Sequence, residues 1–399
     1  MPPMDMARLT PAVAVHLFYS DVLWTGSGLL VAAYVVWMLR RFARPRSGAR
    51  PPAATPRPAP DLARRVLVVG LGSLWVLDGL LQLQPGMVTS FLSGVVAPLL
   101  AGQPAPVAAA MEAGVRLWGV NPIVWNVVAT YAQLLIGLSI LFGAEGGLRR
   151  AGLWASLSWG LIVWIFGEGL GGLFVGGSWF TGLPGSTLLY SVATVLLLLP
   201  PESWRRGAWL RPLAAGLAAY WLLSAALQAW PPAGWWSATG LPSEIGGMAD
   251  MNQPAFLAAS LHAFAQVVSR APAAWNAAMV LGLLGLALAW WRWPDSPATW
   301  AATLVWEFLG WWLGMDFGVL GGMGTDPNSG PILMLLVVGQ GAARRALAGR
   351  RAGTWDGAPA LAAASPGAGM APPDMRLADW AGPIVPDDRG GIAQRGARR

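Results

Sequence analysis

The sequence predicts an all-α polytopic membrane protein of about nine transmembrane helices, with two parallel four-helix repeats behind one N-terminal helix. Three observations predict it. The 399 residues are 55% hydrophobic and only 11% charged, whereas soluble chains are about a quarter charged. Apolar runs approaching the ~20 residues that cross a bilayer recur along the chain. The basic residues fall between those runs, on alternate sides.

Nine apolar runs carry the spans: 13–39, 66–84, 122–143, 152–173, 186–200, 212–230, 274–291, 297–320 and 331–343. The first is too long for a cleaved signal peptide. Only Arg8 precedes it, and its positive charge follows in RRFARPRSGAR, so it reads as an anchor with the N-terminus outside. If odd-numbered spans run from outside to inside, 23 of the 26 basic residues lie inside, leaving Arg8, Arg116 and Arg270 outside. A wrong count of spans scrambles that alternation. The expected location is a bacterial inner membrane, multi-pass, with the N-terminus outside and the C-terminus cytoplasmic.

The expected organisation follows. Residues 1–41 form the N-terminal helix, and 42–63 an Arg- and Pro-rich cytoplasmic linker. Residues 64–207 and 208–351 form the two four-helix units, and 352–399 a disordered cytoplasmic tail. The outer loops 85–121 and 231–273 are apolar enough to hold helices lying on the membrane surface or packed as a cap.

Composition excludes several classes. There is no Cys, which rules out disulfides, thiolate iron–sulfur sites and c-type haem attachment. There is no Lys, so all the basic residues are Arg, and the formal charge is +7. Those Arg sit between apolar spans rather than in one stripe, so the partner is the lipid bilayer and not nucleic acid. No phosphate-binding loop, nucleophile elbow or zincin motif is present.

An internal repeat stands out. WVLDGLLQLQP (75–85) aligns with WLLSAALQAWP (221–231), matching Trp75 with Trp221, Gln82 with Gln228 and Pro85 with Pro231. Trp125-Asn126 matches Trp275-Asn276, and FGEGLGGLFVGGSWFTGLPGS (166–186) resembles LGWWLGMDFGVLGGMGTDPNSG (309–330). Three matches in one order weigh against chance. Four spans is an even number, so both copies have the same orientation.

The first copy combines DGLLQLQP, an exterior loop, NPIVWNVVATYAQLLIGLSILFG and a basic turn at Leu148–Arg150. It resembles the DoxX/DoxD-like superfamily, which is built of four-helix membrane units. The resemblance covers roughly 66–200 and more weakly 212–345. It implies a subunit of a membrane redox system, quinone- or sulfur-linked, with other redox subunits or a quinone as partners. A Trp-lined quinone site would draw on runs such as Trp235-Trp236, Trp290-Trp291 and Trp311-Trp312; interfacial packing explains those runs equally.

The polar residues inside the spans are the candidate site. Asp21 lies in span 1, Asp78 and Gln82 in span 2, Glu168 in span 4, and Glu307 and Asp316 in span 8. No Arg lies near mid-span. A buried carboxylate without a basic partner is usually protonated, hydrogen-bonded or paired with a bound cation. Asp21, Asp78, Glu168 and Asp316 all fall in the outer half, which predicts an outward-facing pocket joining Asp78 and Glu168, with Asp21 or Asp316 beside them. Proton- or cation-coupled transport through that pocket is the second functional reading, and a non-catalytic assembly role the third. The plainer reading of Gln82, Gln228, Asn126 and Asn276 is helix-to-helix bonding. Asp78 and Gln82 are i and i+4, so they share a face with Trp75. His16 and His262, with Met248 and Met251, are weak metal candidates because no two have ligand spacing in one segment. The segments 176–186 and 321–330 read either as re-entrant loops or as exterior turns with Pro184, Asp326 and Asn328 as turn formers.

Overall fold

The computed structural model describes residues 10–43, 62–144, 146–318 and 324–351. Most of the expected linker and the whole expected tail lie outside the described residues. The described residues form helices and turns with no strand. In chain order the helices are α1 (Pro11–Ala43), α2 (Leu62–Leu81), α3 (Pro85–Thr89), α4 (Ala97–Leu100), α5 (Ala105–Val120), α6 (Pro122–Phe142), α7 (Leu148–Phe166) and α8 (Ser186–Leu198). They continue as α9 (Pro201–Arg206), α10 (Leu210–Ala229), α11 (Leu241–Ala249), α12 (Ala255–Ser269), α13 (Pro272–Arg292), α14 (Pro297–Leu313) and α15 (Ser329–Arg351). Five of them, α1, α6, α10, α13 and α15, are long and apolar enough to cross a membrane by length and composition. This is the build of a multi-pass membrane protein.

Local chemistry sets the helix starts. Pro stands first in α6, α13 and α14, where its missing N–H costs nothing. Asn121 caps α6 by accepting from Val124 N at 3.1 Å, and Ser296 caps α14 by accepting from Ala298 N at 3.3 Å.

α2 packs on α6, and α10 packs on α13. α7 packs on α6 and α8, while α15 closes the bundle against α2 and α14. One apolar core runs through both halves, from Leu67 and Trp75 to Trp221, Trp290 and Leu336. Buried indoles are tied across helices. Trp75 donates to Ser156 Oγ at 2.8 Å, and Trp290 donates to Thr303 Oγ1 at 2.9 Å. Such bonds hold helices together where both surroundings are apolar.

α1 stands apart. It touches the bundle through Ala14 and Phe18, which meet Val88, Ile123 and Val127. Tyr131 OH donates to Val22 O at 2.6 Å, and Tyr19 OH donates to Leu83 O at 2.9 Å. Farther along α1, Leu23, Trp24 and Leu30 are exposed.

The apolar runs fall on helices, but two of them end early. Span 4 was expected to reach 173 and span 8 to reach 320; α7 stops at Phe166 and α14 at Leu313. α8 has 13 residues, about 20 Å at 1.5 Å per residue. The chain between α7 and α8 and between α14 and α15 is therefore irregular backbone, and that backbone builds the site.

Candidate functional site

Beyond α7 the chain turns through Gly169, Leu170 and Gly171, with φ of 54°, 58° and 64°. Beyond α14 it turns through Asp316, Phe317 and Gly318, with φ of 46°, 58° and 69°. Left-handed backbone is costly for Leu, Phe and Asp, and surrounding contacts must hold it. The same hydrogen bonds close both turns. Glu168 N donates to Val163 O at 2.9 Å and Gly171 N to Glu168 O at 2.9 Å; Met315 N donates to Gly310 O at 3.0 Å and Gly318 N to Met315 O at 2.8 Å. Trp164 donates to Pro184 O at 2.8 Å, and Trp311 to Pro327 O at 2.7 Å. The returning chains then start α8 at Ser186 and α15 at Ser329.

The first turn places Glu168 over the N-terminus of α8. Its Oε1 accepts from Ser186 Oγ at 2.9 Å and from Thr187 N at 3.2 Å. A helix N-terminus with free N–H groups suits an anion. Its Oε2 is buried with no protein partner. It lies where a Cβ on Gly185 would sit, and Gly185 has φ 97°, so only glycine fits there.

Two more carboxyls complete the cluster. Asp78, on α2, is 2% exposed and accepts a long bond from Tyr190 OH at 3.4 Å. Asp326 accepts from Asn328 N at 2.6 Å and from Thr325 Oγ1 at 3.1 Å. The Ser186 hydroxyl also lies beside Asp326, and the charge of Asp326 bears on both Asp78 and Glu168. Burial pushes the Asp326 carboxyl up, opposed by the Asn328 N–H and the Ser186 and Thr325 hydroxyls. Among the described residues no Arg pairs with any of the three.

The returning segments cross into opposite halves. The second supplies Asp326 to the first half, and Gln84 Nε2 donates to Gly324 O at 3.0 Å. The first reaches the second half. Ser178 donates to Gln228 Oε1, Trp179 donates to Glu307 Oε2 at 2.8 Å, and Tyr220 OH donates to Leu183 O at 3.2 Å. Ser178, Trp179, Phe180 and Leu183 are buried, so 176–186 is an inserted loop rather than an exterior turn.

The site residues expected from the sequence divide accordingly. Asp78 and Glu168 come together, and Asp326 completes them in the place expected for Asp21 or Asp316. Asp21 is exposed on α1. Asp316 is buried with Oδ1 unpartnered, and it is not among the charges that bear on Asp78 or Glu168. Gln82 donates to Asn126 Oδ1 at 2.5 Å, as Gln228 does to Asn276 Oδ1 at 2.7 Å; both are helix-to-helix ties. Glu307 lies in the second half, on Trp179. His16 is exposed, and His262 lies 3.6 Å from Asp250. Among the described residues no three His, Asp or Glu group so as to hold a metal ion. Sequence reasoning missed Asp326, Ser186, Thr187 and Tyr190. The available signal was the alignment of 166–186 with 309–330, which brings the two returning segments into correspondence. No family model matches the chain, and no curated protein or solved structure matches it.

Proposed function

We propose that this chain is a nine-span membrane protein, N-terminus outside and C-terminus cytoplasmic, made of α1 and two parallel four-helix units over 64–207 and 208–351. The recurring Gln–Asn ties, left-handed turns and Trp–Pro bonds support the repeat. The Arg distribution supports the orientation. In this reading Asp78, Glu168 and Asp326 form an outward-facing site that binds and releases protons, and the protein is a proton-coupled membrane carrier. One observation carries it: three carboxyls from three segments, Asp78 buried and Glu168 and Asp326 half-buried, share an Arg-free site by the N-terminus of a short helix. Ionisable groups placed this way within a membrane protein mark ion and proton paths.

The DoxX/DoxD-like resemblance supports a different role, a subunit of a quinone- or sulfur-linked redox system. Reconstitution in liposomes separates the two. Under an imposed pH gradient the carrier reading predicts proton flux that Asp78→Asn, Glu168→Gln and Asp326→Asn each abolish. Flux unchanged in all three, with a quinone co-purifying, favours the redox role.

A further inference from the structure

Glu307 is buried apart from the outer cluster, and it belongs to none of the contacts above except that with Trp179. It lies ten residues into α14, about 15 Å along the helix, and it is 0% exposed. Oε2 accepts from Trp179 Nε1 at 2.8 Å; Oε1 has no protein partner. An ionised carboxylate wants several donors, and a neutral acid wants one acceptor for its O–H. The described neighbours supply neither at Oε1. The Tyr220 hydroxyl is spent on Leu183 O.

Anchoring an indole does not require a carboxyl in this protein. Ser156 accepts from Trp75, and on α14 itself Thr303, one turn from Glu307, accepts from Trp290. Hydroxyls suffice at both places. At Trp179 the chain instead carries an ionisable group with one oxygen left open. The segment that seats Trp179 on Glu307 also seats Ser186 on Glu168, so one short stretch of chain touches both carboxyl sites.

We propose that Glu307 is a second, deeper proton-binding site, loaded at Oε1 by water, in series with the outer carboxyl cluster. This rests on reading that cluster as a proton site. The step is a proton transfer: a water-borne proton adds to Oε1, the carboxylate becomes a neutral acid, and the reverse step returns the proton to water.

Infrared spectroscopy of the full chain in bilayers tests it without needing a transported substrate. The wild type is expected to show a protonated-carboxyl C=O band that shifts in D2O, is absent in Glu307→Gln and persists in Asp326→Asn. Gln still accepts from Trp179, so folding is expected to survive. Should it not, Trp179→Phe leaves Glu307 in place and is expected to move the same band. A band that Glu307→Gln leaves intact, that ignores D2O, or that Trp179→Phe does not move overturns the proposal. In liposomes Glu307→Gln is expected to lower proton flux at least tenfold. Wild-type flux in Glu307→Gln, with flux lost in Glu168→Gln, removes the inner site and spares the outer one. Wild-type flux in every carboxamide variant removes both.

Discussion

Ser186 donates a 2.9 Å hydrogen bond to Glu168, and at the corresponding turn of the second half Ser329 donates to the sulfur of Met315 at 3.6 Å. The backbone around the two acceptors is alike. One copy of the turn carries a carboxyl and the other a thioether. One copy of the turn therefore folds without a carboxyl, which leaves the carboxyl of Glu168 free to serve the proposed proton site.

This makes Glu168→Met a discriminating substitution. It copies what the second half already tolerates at Met315, which is 1% exposed. The expected cost in stability is no more than about 1 kcal/mol, while proton flux is lost. Thermal unfolding in detergent, read beside flux in liposomes, checks both. A variant that cannot fold would show that Glu168 serves structure.

The two Gln–Asn ties are predicted to be interchangeable in strength. Gln82→Ala and Gln228→Ala each remove the donor to a buried Asn Oδ1 and are expected to cost about 1–3 kcal/mol, Gln228→Ala the more because it also removes the acceptor of Ser178. A double-mutant cycle on Gln82 and Asn126 is expected to give a coupling of roughly 0.6–1.7 kcal/mol, and so is one on Gln228 and Asn276. Markedly unequal couplings would argue against a common origin for the two pairs.

Helices were legible in the sequence; the break between them was not. Span 7, expected at 274–291, is α13 at Pro272–Arg292, because hydropathy and an N-terminal Pro agree there. FGEGLGGLFVGG continues the apolar run of span 4 apart from Glu168, but its chain reverses at Gly169–Gly171, and hydropathy carries no information about left-handed φ. Asp326 has the look of a turn former, and it does accept from Asn328 N. Its neighbours Asp78 and Glu168 lie in the other half of the chain, beyond any local pattern. Asp21 misled in the opposite way: α1 is apolar all round, so periodicity does not say which face meets the bundle.

Glu244, on α11, gives a pH prediction. Burial pushes its carboxyl above the usual range. An acid raised in the folded state favours folding while protonated, so its contribution is complete below the unfolded value near ~4.3 and is lost as pH rises through the folded one. Glu244→Gln removes that loss. Its Tm is expected to match wild type near pH ~4 and to exceed it above neutrality. A constant difference across that range would contradict the assignment.

The chain has no Cys, so single Cys substitutions report topology cleanly. Ser243 and Ala208 are both exposed. Ser243→Cys is expected to react with an impermeant maleimide in intact cells, and Ala208→Cys only after permeabilisation. Reaction of Ala208→Cys in intact cells would overturn the proposed orientation.

One proton site is proposed to be assembled from both halves of the chain. Proton flux of Asp326→Asn, Glu168→Gln and the double variant in liposomes tests it most directly. Residues of one unit are not additive, so the two single variants are expected to lose flux equally and the double variant to lose no more than either. Wild-type flux in Asp326→Asn, or losses that multiply in the double variant, would contradict a shared site.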